Sequence, residues 1–102
     1  PLKSTEDNLN QMTRAAQAAG AKVLLIGMQV PPNYGGDYTR KFEELFKTVA
    51  TANKAALVPF LLKGVADVQE APALFQTDRI HPAAVAQPRM LDNVWPELKK
   101  LL

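Results

Sequence analysis

The spacing of apolar positions switches along this chain between helical and strand-like periods, and each switch marks an element. From Ser4 to Ala19, Leu9, Met12, Ala16 and Ala19 recur at helical spacing, and Gly20 follows as a residue suited to a left-handed stop. Ser4-Thr5-Glu6-Asp7 reads as the helix start, a hydroxyl cap followed by acids in the first turn. The period then breaks. Lys22 to Gly27 carries the unbroken apolar run Val23-Leu24-Leu25-Ile26, the signature of a strand buried on both faces. Met28 to Tyr38 is a loop, because Pro31-Pro32 and Asn33-Tyr34-Gly35-Gly36 are strong turn formers. Arg40 to Asn53 returns to helical spacing, with Phe42, Leu45, Phe46 and Val49 on one face. Ala56 to Phe60 is a second strand, and Pro59 marks its end or an unpaired edge position. Leu61 to Gln76 is an apolar connection. The last helix begins near Pro88, a first-turn residue, and carries Leu91, Val94, Trp95, Leu98 and Leu101 as its stripe. Pro96 is expected to bend or restart that helix.

Strand, helix and strand in this order make a βαβ unit with a parallel sheet, and the class is α/β. Two strands cannot bury both faces of such a sheet. The chain also opens at Pro1, without an initiator Met or a targeting sequence. Residues 1–102 are therefore expected to be the C-terminal portion of one larger α/β domain rather than a complete one.

Composition narrows the possible functions mainly by exclusion. At 47% hydrophobic and 22% charged the chain is ordinary globular material. No apolar run approaches the roughly 18 residues of a membrane-spanning helix. Twelve basic and ten acidic residues are interspersed, so the net charge of +2 forms no basic stripe for nucleic acid. Without cysteine there are no thiolate sites, and a single histidine without a partner at metal-ligand spacing argues against zinc. Gly35-Gly36 lacks the G-K-[ST] ending of a phosphate loop. No metal and no cofactor are expected.

Candidate chemistry concentrates in Asp78-Arg79-Ile80-His81-Pro82, which holds that lone histidine. A histidine acting as a base needs a carboxylate on one ring nitrogen to fix its tautomer and stabilise the imidazolium. D-x-x-H on a turn lets both side chains point the same way, although on spacing alone most such pairs are a surface Asp and a helix-entry His. The Met28–Tyr38 loop leaves the C-terminal end of a parallel strand, where open α/β sheets place ligands. Asn33, Tyr34 and Gly35 are thus candidates for substrate binding. An aromatic loop anchor and turn-forming residues would explain them as well.

Taken in order, Lys22–Met28, Val30-Pro31-Pro32-Asn33-Tyr34-Gly35, Val58-Pro59-Phe60-Leu61-Leu62, Asp78-x-x-His81-Pro82 and Ala86-Gln87-Pro88 closely resemble the C-terminal part of SGNH (GDSL-type) hydrolases. The subgroup of bacterial arylesterases and periplasmic acyl-CoA thioesterases/lysophospholipases is the best match. The resemblance implies a flavodoxin-like three-layer α/β/α fold with a parallel sheet, incomplete in this chain. It also implies a Ser-His-Asp triad to which Asp78 and His81 contribute, small acyl ester or thioester substrates, and a periplasmic or secreted location. In the family the stretch corresponding to Leu61–Gln76 helps form an acyl-chain cleft; packing alone would account for the same residues. The family usually places Gly directly after the Asp, where this chain has Arg79. A positive φ there would strain an arginine.

The nucleophile is missing. Ser4 is the sole serine and lies in a helix-start context, without a preceding strand or a glycine-lined elbow. The G-D-S-[LI], middle Gly and G-x-N-D motifs of the family do not occur. The expected partner is accordingly the N-terminal part of the same protein, and this chain alone should be inactive. The competing expectation is a non-catalytic piece that docks or self-associates through its open sheet edge and apolar helix faces.

Overall fold

A computed structural model describes residues 1–30 and 32–102, so the Pro31 half of the Pro31-Pro32 turn signal lies outside the described residues. Five regular elements form in the order α1 (Leu2–Ala18), β1 (Leu24–Ile26), α2 (Gly36–Asn53), β2 (Ala56–Val58) and α3 (Gln87–Lys99). Short 3₁₀ turns sit at Pro32–Tyr34, Ala71–Leu74 and Ala84–Ala86.

The helix α1 begins earlier than Ser4. Ser4 lies inside the first turn, and no side chain caps the helix. The Pro1 carbonyl accepts from Thr5 N–H at 3.4 Å, and Lys3 pairs with Asp7 one turn on at 3.0 Å, which supports helical geometry ahead of the serine. Gly20 terminates the region with φ of 91°, as its position after the apolar stripe predicts. The inward face is not the expected one throughout: Met12 is 60% exposed, while Thr13 is buried and Leu9 packs against the core. α1 is tied to the end of α2 through Asn53. Its amide donates to Asn10 Oδ1 and to the Val49 carbonyl, both at 2.8 Å, and its Oδ1 accepts from Arg14 at 2.9 Å.

The two strands pair in parallel, with Leu24 opposite Ala56, Leu25 opposite Leu57 and Ile26 opposite Val58. Leu25 and Leu57 share one face and pack with Val49 and Ala50 of α2 and Leu9 of α1. Val58, on the opposite face by strand alternation, is also buried. Ile26 is 36% exposed, so β1 is not buried throughout as its continuous apolar run suggests. The reason is geometric: each strand of a two-stranded sheet has one unpaired edge, and its second face is only partly covered.

Gly27 follows β1 at a point of close backbone approach. It donates to the Val58 carbonyl at 2.7 Å and accepts from Leu61 N–H at 3.0 Å. A methyl group added there would fall on the Pro59 carbonyl oxygen, well inside van der Waals contact. Pro59 ends β2, as the sequence predicts.

A second core lies beneath the connection after β2. Leu62, Val65, Leu74 and Ala86 are buried together, with Met28, Phe75 and Met90 among the residues packed on them. Packing therefore accounts for Leu62, Val65 and Leu74 of the Leu61–Gln76 stretch. The helix α3 passes through Pro96 without a break, and Pro88 sits in its first turn. Its stripe is only partly covered: Val94, Leu98 and Leu101 are half-buried, whereas Leu91 is 59% and Trp95 43% exposed. α3 lies against both strands and is also held by Met90 on the second core and by the Asn93 amide, which donates to the Leu61 and Lys63 carbonyls at 2.8 Å.

Candidate active site

Both residues singled out for acid–base chemistry sit on one tight turn. A short antiparallel bridge between Phe75 and Pro82 forms its base, where Gln76 N–H donates to the His81 carbonyl and Ala83 N–H to the Leu74 carbonyl, each at 2.8 Å. Arg79 N–H donates back to the Gln76 carbonyl at 2.9 Å, and the chain reverses through Arg79 with φ of 61°. The position after the aspartate thus requires the left-handed region, and an arginine occupies it at a cost of about 1 kcal/mol or more. Leu74 and Ala86, which flank the turn, belong to the second core, and Met28 at the root of the Met28–Tyr38 loop packs on the same core.

The two oxygens of Asp78 have separate partners. Oδ1 accepts from the backbone N–H groups of Ile80 and His81 at 2.9 and 3.1 Å, which builds the turn. Oδ2 lies 2.6 Å from His81 Nδ1. The hydrogen bond from the His81 ring, followed by those from the Ile80 and His81 amides, holds the Asp78 carboxyl down to about 2. An ionised carboxylate only accepts, so in the neutral ring Nδ1 carries the hydrogen and Nε2 presents its lone pair. The His81 side chain is 68% exposed, which leaves Nε2 open to an incoming group. Such an arrangement can act chemically as an oriented base, with a fixed counter-ion for the charge the ring would gain.

The loop candidates are placed differently. Asn33 and Tyr34 belong to the 3₁₀ turn Pro32–Tyr34, and Gly35 precedes α2 with φ of 91°. The Tyr34 ring, 60% exposed, stacks on Tyr38 with centroids 5.7 Å apart, and the aromatic series continues through Phe42 to Phe46. Its stacking partner is therefore on the helix that follows. α2 begins four residues before the expected Arg40, because Asp37 takes the first turn and pairs with Arg40 and Lys41 at 2.7 and 3.1 Å.

Sequence reading missed two supports of the site. Gln76 closes the turn with its backbone and also donates from its side-chain amide to the Pro82 carbonyl at 3.3 Å. Gly27 permits the approach of Pro59 that brings the Met28 loop beside the second core. A glycine immediately after an apolar run was the available signal for the latter.

The arrangement is that of an α/β protein bearing an aspartate-oriented histidine on a turn flanking its second core. Known proteins match the chain along nearly all of its length. It is 54% identical over 97 residues to Esterase TesA of Pseudomonas aeruginosa, covering 95% of this chain and 47% of that protein. It is 33% identical over 102 residues to an arylesterase of Vibrio mimicus, covering all of this chain and 50% of the relative. The thioesterase 1/protease 1/lysophospholipase L1 of Escherichia coli is 32% identical over 100 residues, or 98% of this chain and 47% of that protein. The crystal structure of TesA superposes with a TM-score of 0.91 at 51% identity, over all of this chain and 55% of that one. AlinE4, described as an SGNH-hydrolase family esterase, superposes at 0.70 with 32% identity, over all of this chain and 52% of that one. No family model matches. In sequence and fold the chain is similar to these esterases, as its ordered motifs imply, and it spans about half the length of the relatives it matches. Among the described residues no helix is long and apolar enough to cross a membrane.

Proposed function

We propose that this chain is the C-terminal portion of a serine ester hydrolase of arylesterase, thioesterase or lysophospholipase type, and that it supplies the Asp and His of the triad. The observation that carries the reading is the 2.6 Å contact between His81 Nδ1 and Asp78 Oδ2, which leaves Nε2 as the accessible base. The relatives named as esterases and thioesterases support the reaction class.

In this mechanism a serine hydroxyl from the N-terminal portion attacks the acyl carbonyl while Nε2 takes its proton. The oxyanion of the tetrahedral intermediate is held by donors that also lie outside this chain. Collapse expels the alcohol or thiol, which receives the proton back from Nε2, and leaves an acyl-enzyme. Water then attacks with Nε2 again as base. Asp78 stays ionised throughout and stabilises each imidazolium. Asn33, Tyr34 and Gly35 line the approach of the substrate, with the exposed Tyr34 ring as an apolar surface for an acyl chain or aryl group. The proposed location is periplasmic or secreted.

The test compares the isolated chain with the intact protein. The 102 residues alone should hydrolyse p-nitrophenyl butyrate no faster than buffer with free imidazole. The intact protein should turn it over, and His81→Ala should abolish turnover. Stoichiometric phosphonate labelling of Ser4 in the isolated chain would overturn the assignment of the nucleophile to another segment.

The uncovered Leu91 and Trp95 and the unpaired strand edges favour a second reading, a non-catalytic piece that docks or self-associates. An intact protein that forms stable homodimers through this face and shows no esterase activity would select it.

A further inference from the structure

Beside the Asp78–His81 turn lies an open depression of about 400 Å³ whose walls are Ala66, Ala71, Pro72, Phe75 and Arg79. Four of these five residues are apolar. Arg79 brings a permanent positive charge to that surface, one residue from Asp78 and two from His81. Phe75 belongs to the bridge at the base of the same turn, so cavity and dyad share one frame.

The carboxylates near Arg79 in the chain are already engaged. Asp78 holds His81 and the turn amides, and Glu70 faces Arg89 at 3.5 Å. Among the described residues the Arg79 guanidinium is left without an ion-pair partner. The residue is also held at φ of 61°, a backbone conformation that favours glycine or asparagine. A charged, bulky side chain at such a position gains nothing for the turn itself.

We propose that Arg79 is a specificity-determining residue that selects ester substrates bearing an anionic group, a carboxylate or phosphate, over neutral ones. The inference rests on the ester-hydrolase reading above. An apolar depression accepts the hydrocarbon part of the substrate, and the guanidinium binds the anion in bidentate fashion. Because Arg79 is exposed, the preference is moderate and falls with salt.

The experiment compares kcat/KM of the intact enzyme for phenyl butyrate, 4-(butyryloxy)benzoate and monophenyl glutarate, which are neutral, anionic on the leaving group and anionic on the acyl group. Arg79→Asn is the main variant, since asparagine tolerates the left-handed backbone. It should lower the anionic-to-neutral ratio about fivefold for one of the two anionic probes, the scale of an exposed charge pair. The responding probe tells on which side of the ester bond the anion sits. Arg79→Lys should retain part of the preference, and high salt should erase it in the parent. Ratios equal in the parent and Arg79→Asn for both probes overturn the inference while leaving the hydrolase reading intact. Absence of phenyl butyrate turnover by the intact protein overturns both.

Discussion

Replacing Asp78 with asparagine separates the two tasks of this carboxylate. Asparagine keeps one oxygen and exchanges the other for an NH₂ group. The Ile80 and His81 amides, which lie 2.9 and 3.1 Å from Oδ1, can be satisfied only by the remaining oxygen, because NH₂ does not accept. The NH₂ must then face His81 Nδ1 across what was a 2.6 Å contact. Two donors cannot share that contact, so Nδ1 gives up its hydrogen and Nε2 acquires it. The base is thereby protonated on the nitrogen that should receive the proton. The expected loss in kcat is about 10⁴-fold, as in other triads forced into the wrong tautomer. Asp78→Ala removes both oxygens and should release the turn as well. Steady-state hydrolysis of p-nitrophenyl butyrate by the intact enzyme measures the first effect. Amide chemical shifts and hydrogen exchange of Ile80 and His81 measure the second. The reasoning fails if Asp78→Asn retains activity within tenfold of the parent. It also fails if the asparagine variant loosens these two amides as much as alanine does.

Other outcomes follow from the same structure. The Asp78 carboxyl lies at about 2 when folded against an ordinary value of 3.8, so its contribution to stability is complete above about pH 5 and is lost as pH falls through 2. The gap in melting temperature between the parent and Asp78→Asn should therefore narrow in acid and not at pH 8. Gly27→Ala should destabilise by about 3 kcal/mol, from overpacking against Pro59 and strain on the hydrogen bonds to Val58 and Leu61, and lower the urea midpoint by about 1–2 M. Gly36→Ala is the control, because no neighbouring atom opposes a methyl group there and α2 starts at that residue; it should be neutral or stabilising by up to about 1 kcal/mol.

The sequence made the site more legible than its surroundings. Asp78 and His81 are three residues apart, and a turn of that length leaves few ways to arrange them, so spacing anticipated the contact. The parallel pairing of β1 with β2 was legible for a similar reason, since the intervening segment has the length of a crossover helix. Burial was read less well. Met12, Leu91 and Trp95 look like core residues by periodicity, yet periodicity reports only that a face is apolar and not whether this chain contains what covers it. Ser4 misled as a cap because the Lys3–Asp7 pair and helix-compatible residues carry α1 past it. The positive φ at Arg79 was foreseeable only through the resemblance, since nothing intrinsic to arginine announces it.

The short reach of the Asp78–His81 contact has a consequence for how the enzyme would fail. Closing the loop between Gln76 and His81 costs little chain entropy, and the contact contributes almost nothing to contact order. A nucleophile delivered from another segment must instead be positioned across the whole fold. Under mild denaturation the oriented imidazole should thus outlast catalysis, and inactivation should track separation of the two segments rather than melting of the turn. On the proposed reading, the stretch from Phe75 to Ala83 would be an acid–base cassette that travels only with the core on which Phe75 packs.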